Sequence, residues 1–144
     1  MNTSAEITTW LEEHQYQAEA RLILAARQGR ADVVNHLLRQ GDDLNALDRY
    51  GNNALWAACF AESAACVQHL LAAGIAIDYQ NPSGATALIY ASSSGKHAVV
   101  AQLLQAGANP LLTTQDEFSA LDLAATRQCL QLLKQAHKTA SAPE

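Results

Sequence analysis

Asp48-Arg49-Tyr50-Gly51-Asn52-Asn53-Ala54-Leu55-Trp56-Ala57-Ala58-Cys59 is followed after a short gap by Cys66-Val67-Gln68-His69-Leu70-Leu71-Ala72-Ala73-Gly74. One step of 33 residues further on stand Asn81-Pro82-Ser83-Gly84-Ala85-Thr86-Ala87-Leu88-Ile89-Tyr90-Ala91-Ser92 and then Val99-Val100-Ala101-Gln102-Leu103-Leu104-Gln105-Ala106-Gly107-Ala108. The same step aligns Gly41, Gly74 and Gly107, the leucines 22, 55, 88 and 121, and Val34, Val67 and Val100. It also aligns the pairs Leu37-Leu38, Leu70-Leu71 and Leu103-Leu104. A fixed period of this size marks a stacked array, in which each unit buries its apolar face against its neighbours.

The chemistry of one unit accounts for the pattern. Asn53, Thr86 and Ser119 share a register and are side chains able to accept from the orphan amides of a following helix. Leu55 with Ala58, and Leu88 with Ala91, are three apart and form the inner stripe of a short first helix. Ala57, Ala58 and Ala91 let neighbouring helices approach closely. Gly29 and Gly95 mark a turn into a second helix. That helix carries Val33-Val34 and Leu37-Leu38 in one unit, and Val99-Val100 and Leu103-Leu104 in another. Gly41, Gly74 and Gly107 fall where a left-handed residue ends a helix. The stretch from Asp42 to Asn52, with turn-formers Asp48 and Gly51, predicts a projecting hairpin.

These units resemble the ankyrin repeat, whose pattern reads D-x-x-G-x-T-P-L-H-x-A-A-x-x-G, then V-V-x-x-L-L, then G-A. The resemblance covers roughly residues 20–133. It implies an all-α solenoid of stacked helix-turn-helix units with projecting hairpin loops, in a single domain over 1–144. Repeat 1 is expected over 18–50, repeat 2 over 51–83, repeat 3 over 84–116 and a shortened capping repeat over 117–137. The family proline is replaced by Arg21, Ala54, Ala87 and Ala120, and its histidine by Ile23, Trp56, Ile89 and Asp122. Stability is therefore expected to rest more on apolar packing. Leu111 stands where the family prefers asparagine, as at Asn45.

Both ends depart from the repeat. Thr3-Ser4-Ala5-Glu6 reads as a capping box, and Ile7, Trp10, Leu11 and His14 share a helical face. A helix over 3–16 is expected to cover the first repeat. At the other end, Ser119 to Ala125 is expected to restore a first helix. Leu132-Leu133 then arrives four residues early, the second leucine at 133 instead of 137. Gln128, Gln131, Lys134 and Gln135 provide polar outward positions, and 138–144 is expected to fray.

Composition limits the function classes. The hydrophobic fraction of 49% is largely alanine, and no run approaches the ~18 apolar residues of a membrane span. The N-terminus lacks a basic stretch leading an apolar core, which argues against export. Three cysteines, Cys59, Cys66 and Cys129, read as buried reduced thiols. A cytoplasmic monomer is the expectation. The net charge of −5 and nine scattered basic residues give no positive stripe for a phosphate backbone. The charge suits a neutral or basic protein surface.

No catalytic constellation emerges. Cys66 and His69 have the spacing of a helical ligand pair, and His36 and His69 are equivalent, but a zinc site needs three or four converging ligands. Ser92-Ser93-Ser94-Gly95 lacks the Gly-x-Ser-x-Gly and Gly-x-x-x-x-Gly-Lys settings. No metal, cofactor or catalytic residue is assigned.

The resemblance implies that partners are gripped by hairpin tips and the exposed edge of first helices, forming a concave groove. Carried over by position, the candidate contacts are Leu47, Arg49, Tyr50 and Asn52, then Gln80, Pro82 and Ser83, then Gln115 and Phe118. The first-helix positions are Arg27, Phe60 and Ser93. Tyr50 and Phe60, with Arg49, are of the types that dominate binding energy. Trp56 is either core or a groove-lining neighbour of Phe60. The implied function is a non-enzymatic module that binds one protein partner. A stand-alone inhibitor of a partner enzyme is the alternative, and an enzyme or small-ligand protein with an unrecognised site is the third reading.

Overall fold

A computed structural model describes residues 3–141, with the Thr3 side chain left aside. The chain divides into two compact units, Met1–Ile75 and Ala76–Glu144. In the first, α1 spans Thr3–Glu13, α2 Arg21–Arg27, α3 Ala31–Arg39, α4 Ala54–Phe60 and α5 Ala64–Ala72. In the second, α6 spans Ala87–Ser93, α7 His97–Gln105 and α8 Arg127–Ser141. Among the described residues the only strand-like pairing outside helices is an isolated antiparallel bridge, Thr113 with Ser119. The all-α class that the repeat resemblance implied holds.

Helices α4, α5 and α6 begin where the sequence supplies a side-chain acceptor, whereas α2, α3 and α7 start at Ala20, Arg30 and Lys96 without one. The Asn53 side chain accepts from the Trp56 amide at 3.3 Å, and Thr86 accepts from Ile89 at 3.1 Å. Ser63 does the same for α5, accepting from Cys66 at 3.1 Å. The first unit stacks α2 on α4 and α3 on α5. Leu22, Ile23 and Leu55 fill the first-helix layer, and Val33, Val34, Leu37, Val67 and Leu70 the second; all are fully buried. In the second unit Leu88, Val100, Leu103 and Leu133 form the core. Full burial of such a side chain contributes about 1.5–3 kcal/mol. Cys59, Cys66 and Cys129 lie buried and unbonded to one another, as small apolar fillers.

The hairpins are tight turns with almost no ladder. In all three, the first residue's amide reaches across the tip: Asp48 to Asn52, Asn81 to Ala85, Thr114 to Phe118, each at 2.9 Å. The Asp48 and Asn81 side chains also accept two tip amides apiece, at 2.8–3.0 Å. Thr114 accepts one, from Phe118. Gly84, at φ +84°, brings its backbone so near the next tip that a Cβ would sit 2.9 Å from the Gln115 nitrogen. The third hairpin keeps this geometry despite Leu111.

The ends require three corrections. The N-terminal helix stops at Glu13, not 16, and continues as a turn through Tyr16. Its capping box rests on the Thr3 side chain and lies outside the described residues. The expected first helix at 119–125 is a single turn. Asp122 accepts from both the Ser119 amide (2.9 Å) and hydroxyl (3.0 Å), while the Ser119 hydroxyl accepts from the Asp122 amide. Ala125 then donates to Ser92 at 3.1 Å, and Thr126 caps α8. With four residues missing, too little chain separates these two caps for a second helical turn. Lastly, α8 runs on to Ser141 where fraying was expected from 138; 142–144 lie outside the described residues.

Candidate functional site

In the first unit, Asp48 organises the tip that carries Arg49 and Tyr50. Its Oδ1 holds the Tyr50 and Asn52 amides, and its Oδ2 lies 3.7 Å from the Arg27 guanidinium. Arg27, the last residue of α2, is bidentate to Glu19 at 2.7 and 2.5 Å. The Glu19 hydrogen bonds, more than Coulombic attraction, raise the Arg27 pKa further above its ordinary value. Arg27 is thus a brace joining helix, tip and N-terminal connection, with its donors already directed at carboxylates. Asn52 is half-buried and closes the turn through its backbone.

What this frame presents is apolar. Leu47, Tyr50 and Phe60 are 49%, 64% and 58% exposed. The Arg49 guanidinium donates to the Tyr50 hydroxyl at 2.8 Å and lies 4.9 Å from the ring centroid. That contact restrains two long side chains before any encounter. Trp56 is half-buried, between the two readings left open for it. Phe60 terminates α4, the position equivalent to Arg27.

In the second unit the tips are tied together. Gln80 donates to the Gly84 and Thr113 carbonyls at 2.9 and 3.1 Å, and Gln115 donates to the Pro82 carbonyl at 2.7 Å. Ser83 bonds the Asn81 side chain at 2.8 Å. These three polar candidates hold tip geometry, while Phe118 stands 48% exposed beside them in sequence. Pro82 is exposed. Ser93, the register equivalent of Phe60, is exposed and donates to the Tyr90 carbonyl at 3.0 Å.

The remaining chemical candidates have structural partners. Ser92 is buried and donates to the Ala120 carbonyl at 2.6 Å. Burial pushes the Cys66 thiol above its ordinary value, partly offset by Ser63, so it remains a protonated filler. Among the described residues no three His, Cys, Asp or Glu side chains converge as a metal site would need. No described helix is long and apolar enough to cross a membrane. Sequence reading missed one contact set entirely. The buried Trp10 donates to Gln28 at 2.7 Å and stacks on His14 at 4.1 Å. Only the spacing of Trp10 and His14 on one helix face hinted at it.

A family model described as "Ankyrin repeats (3 copies)" matches residues 22–114. The chain is 37% identical over 83 residues to ankyrin repeat domain-containing protein SAT10 of Stachybotrys chartarum, covering 58% of this chain and 4% of that one. It is 35% identical over 101 residues to human ankyrin repeat and SOCS box protein 3, covering 68% and 20%. It is 42% identical over 62 residues to the putative ankyrin repeat protein YahD of Escherichia coli, covering 43% and 31%. The chain therefore spans under a third of the length of each. Among solved structures, the ankyrin repeat domain of Bcl-3 superposes with a TM-score of 0.73 at 31% identity, over 78% of this chain and 50% of that one.

Proposed function

The chain belongs to the ankyrin-repeat family, and from that premise we propose a non-enzymatic module that grips a protein partner through its first hairpin tip and the end of α4. Ankyrin repeats as a family mediate protein–protein interaction. The observation that carries the finer reading is the concentration of large exposed apolar side chains at Leu47, Tyr50 and Phe60. Aromatic anchors on a rigid support lose little conformational entropy on binding. The Arg49–Tyr50 contact and the Asp48 turn hold the tip in advance of the partner. The cytoplasm is the proposed location, where buried thiols stay reduced, and the proposed free state is a monomer.

Site-directed photo-crosslinking in the native cell tests the reading. A photoreactive residue at Tyr50 is expected to yield a discrete adduct with one protein. The same residue at Tyr16, 91% exposed but in the turn after α1, is expected to yield none. Equal labelling from both positions would remove the assignment.

A further inference from the structure

The second unit carries an open groove of about 680 Å³ between α7 and α8. Its floor is apolar: Ala101 and Leu104 from α7, Leu132 and Ala136 from α8, all half-buried. Glutamines 105, 128, 131 and 135 stand exposed along its walls. The volume falls within the roughly 300–1,000 Å³ of small-molecule sites. An open trough lined by two helices, however, suits an element laid along it.

Charge says what kind of element. The chain is net −5, yet no Asp or Glu occurs anywhere in α7 or α8. The acids described in this unit, Asp78, Asp116, Glu117 and Asp122, all lie in tips and connections. Arg127, Lys134 and Lys138 lie on α8, each exposed. Positions 127, 131, 134 and 138 follow a three-to-four-residue stripe, so the cations flank the glutamine wall along its length. Nine basic residues look scattered in the sequence. Along α7 and α8 the described cations stand without an acid on either helix.

We propose that the α7–α8 groove is a second docking surface, and that its occupant is an acidic amphipathic helix of a protein partner. The apolar stripe of such a helix would seat on Ala101, Leu104, Leu132 and Ala136. Its flanking carboxylates would face Arg127, Lys134 and Lys138. Apolar seating with rim charges gives both affinity and orientation. Duplex nucleic acid fits less well, because three cations along one edge of an apolar floor release few counterions.

The test uses the full chain and two labelled synthetic peptides. Both are helical 16-mers with leucine at i, i+3, i+4 and i+7 positions; one carries glutamates on its polar flanks, the other lysines. Anisotropy titration is expected to show saturable binding of the glutamate peptide at least about tenfold tighter than the lysine peptide, weakening with salt. Lys134→Glu plus Lys138→Glu changes only exposed side chains. It is expected to abolish the preference with helical circular dichroism unchanged. A Tyr50→Ala plus Phe60→Ala variant is expected to bind the glutamate peptide as the wild type does, which separates this surface from the tip site. Equal binding of the two peptides, an unaffected double charge variant, or tighter binding of a 16-base-pair duplex than of the glutamate peptide would each overturn the proposal.

Discussion

Glu62 and Glu117 hold positive φ angles, 54° and 66°, in registers where the other units place glycine. Position 62 corresponds to Gly29 and Gly95, and 117 to Gly51 and Gly84. A β-carbon in the left-handed region costs on the order of 1 kcal/mol. Glu62→Gly is therefore expected to raise stability by about 0.5–1 kcal/mol, read as a higher urea midpoint at unchanged slope. An unmoved or lowered midpoint would show that the glutamate side chain compensates. The 33-residue step made the glycine sites legible; it gave no sign that the backbone would keep its turn when the glycine was absent. Two carboxylates make stability depend on pH. Asp32 is held below its ordinary value chiefly by hydrogen bonds from Arg30, and Asp122 chiefly by the Ser119 amide. Since the folded values lie below the unfolded ones, their contribution is present above about pH 4 and is lost as pH falls below it. Asp32→Asn plus Asp122→Asn is expected to flatten the acid limb of a stability-against-pH curve; an unchanged slope would contradict this.

Among the elements, α1 depends most on a single side chain. Trp10 is buried, donates to Gln28 and stacks on His14, while most of α1 is exposed. Trp10→Ala is expected to cost about 3–5 kcal/mol and to remove hydrogen-exchange protection from α1. Retained protection in α1 would contradict that dependence. The apolar face of α1 was legible from its spacing, but the partner residue Gln28 was not, since contacts eighteen positions apart leave no local periodicity. The same limit applies to the fourth unit. Its cap residues Ser119 and Thr126 were each recognisable in type, yet their mutual nearness, which leaves room for one turn only, depends on where Ala125 finds a carbonyl. It finds that of Ser92.

For the molecule as a whole, repetition dictated the fold, and the proposed binding site rests on departures from repetition. Tyr50 and Phe60 occupy positions filled by Ser83 and Ser93 one unit later, so the aromatic anchors were legible as soon as the register was fixed. Arg27, Gln80 and Gln115 were legible as tip or helix-end positions, but not as braces, because their partners Glu19, Thr113 and Pro82 lie in other segments of the chain; Ser83 bonds within its own tip. The most direct measurement is the affinity of the crosslinked partner for wild type and for Tyr50→Ala plus Phe60→Ala, with helical content verified by circular dichroism. Loss of two aromatic anchors is expected to weaken binding at least about tenfold. Unchanged affinity in a folded double variant would contradict recognition through the first tip and the end of α4.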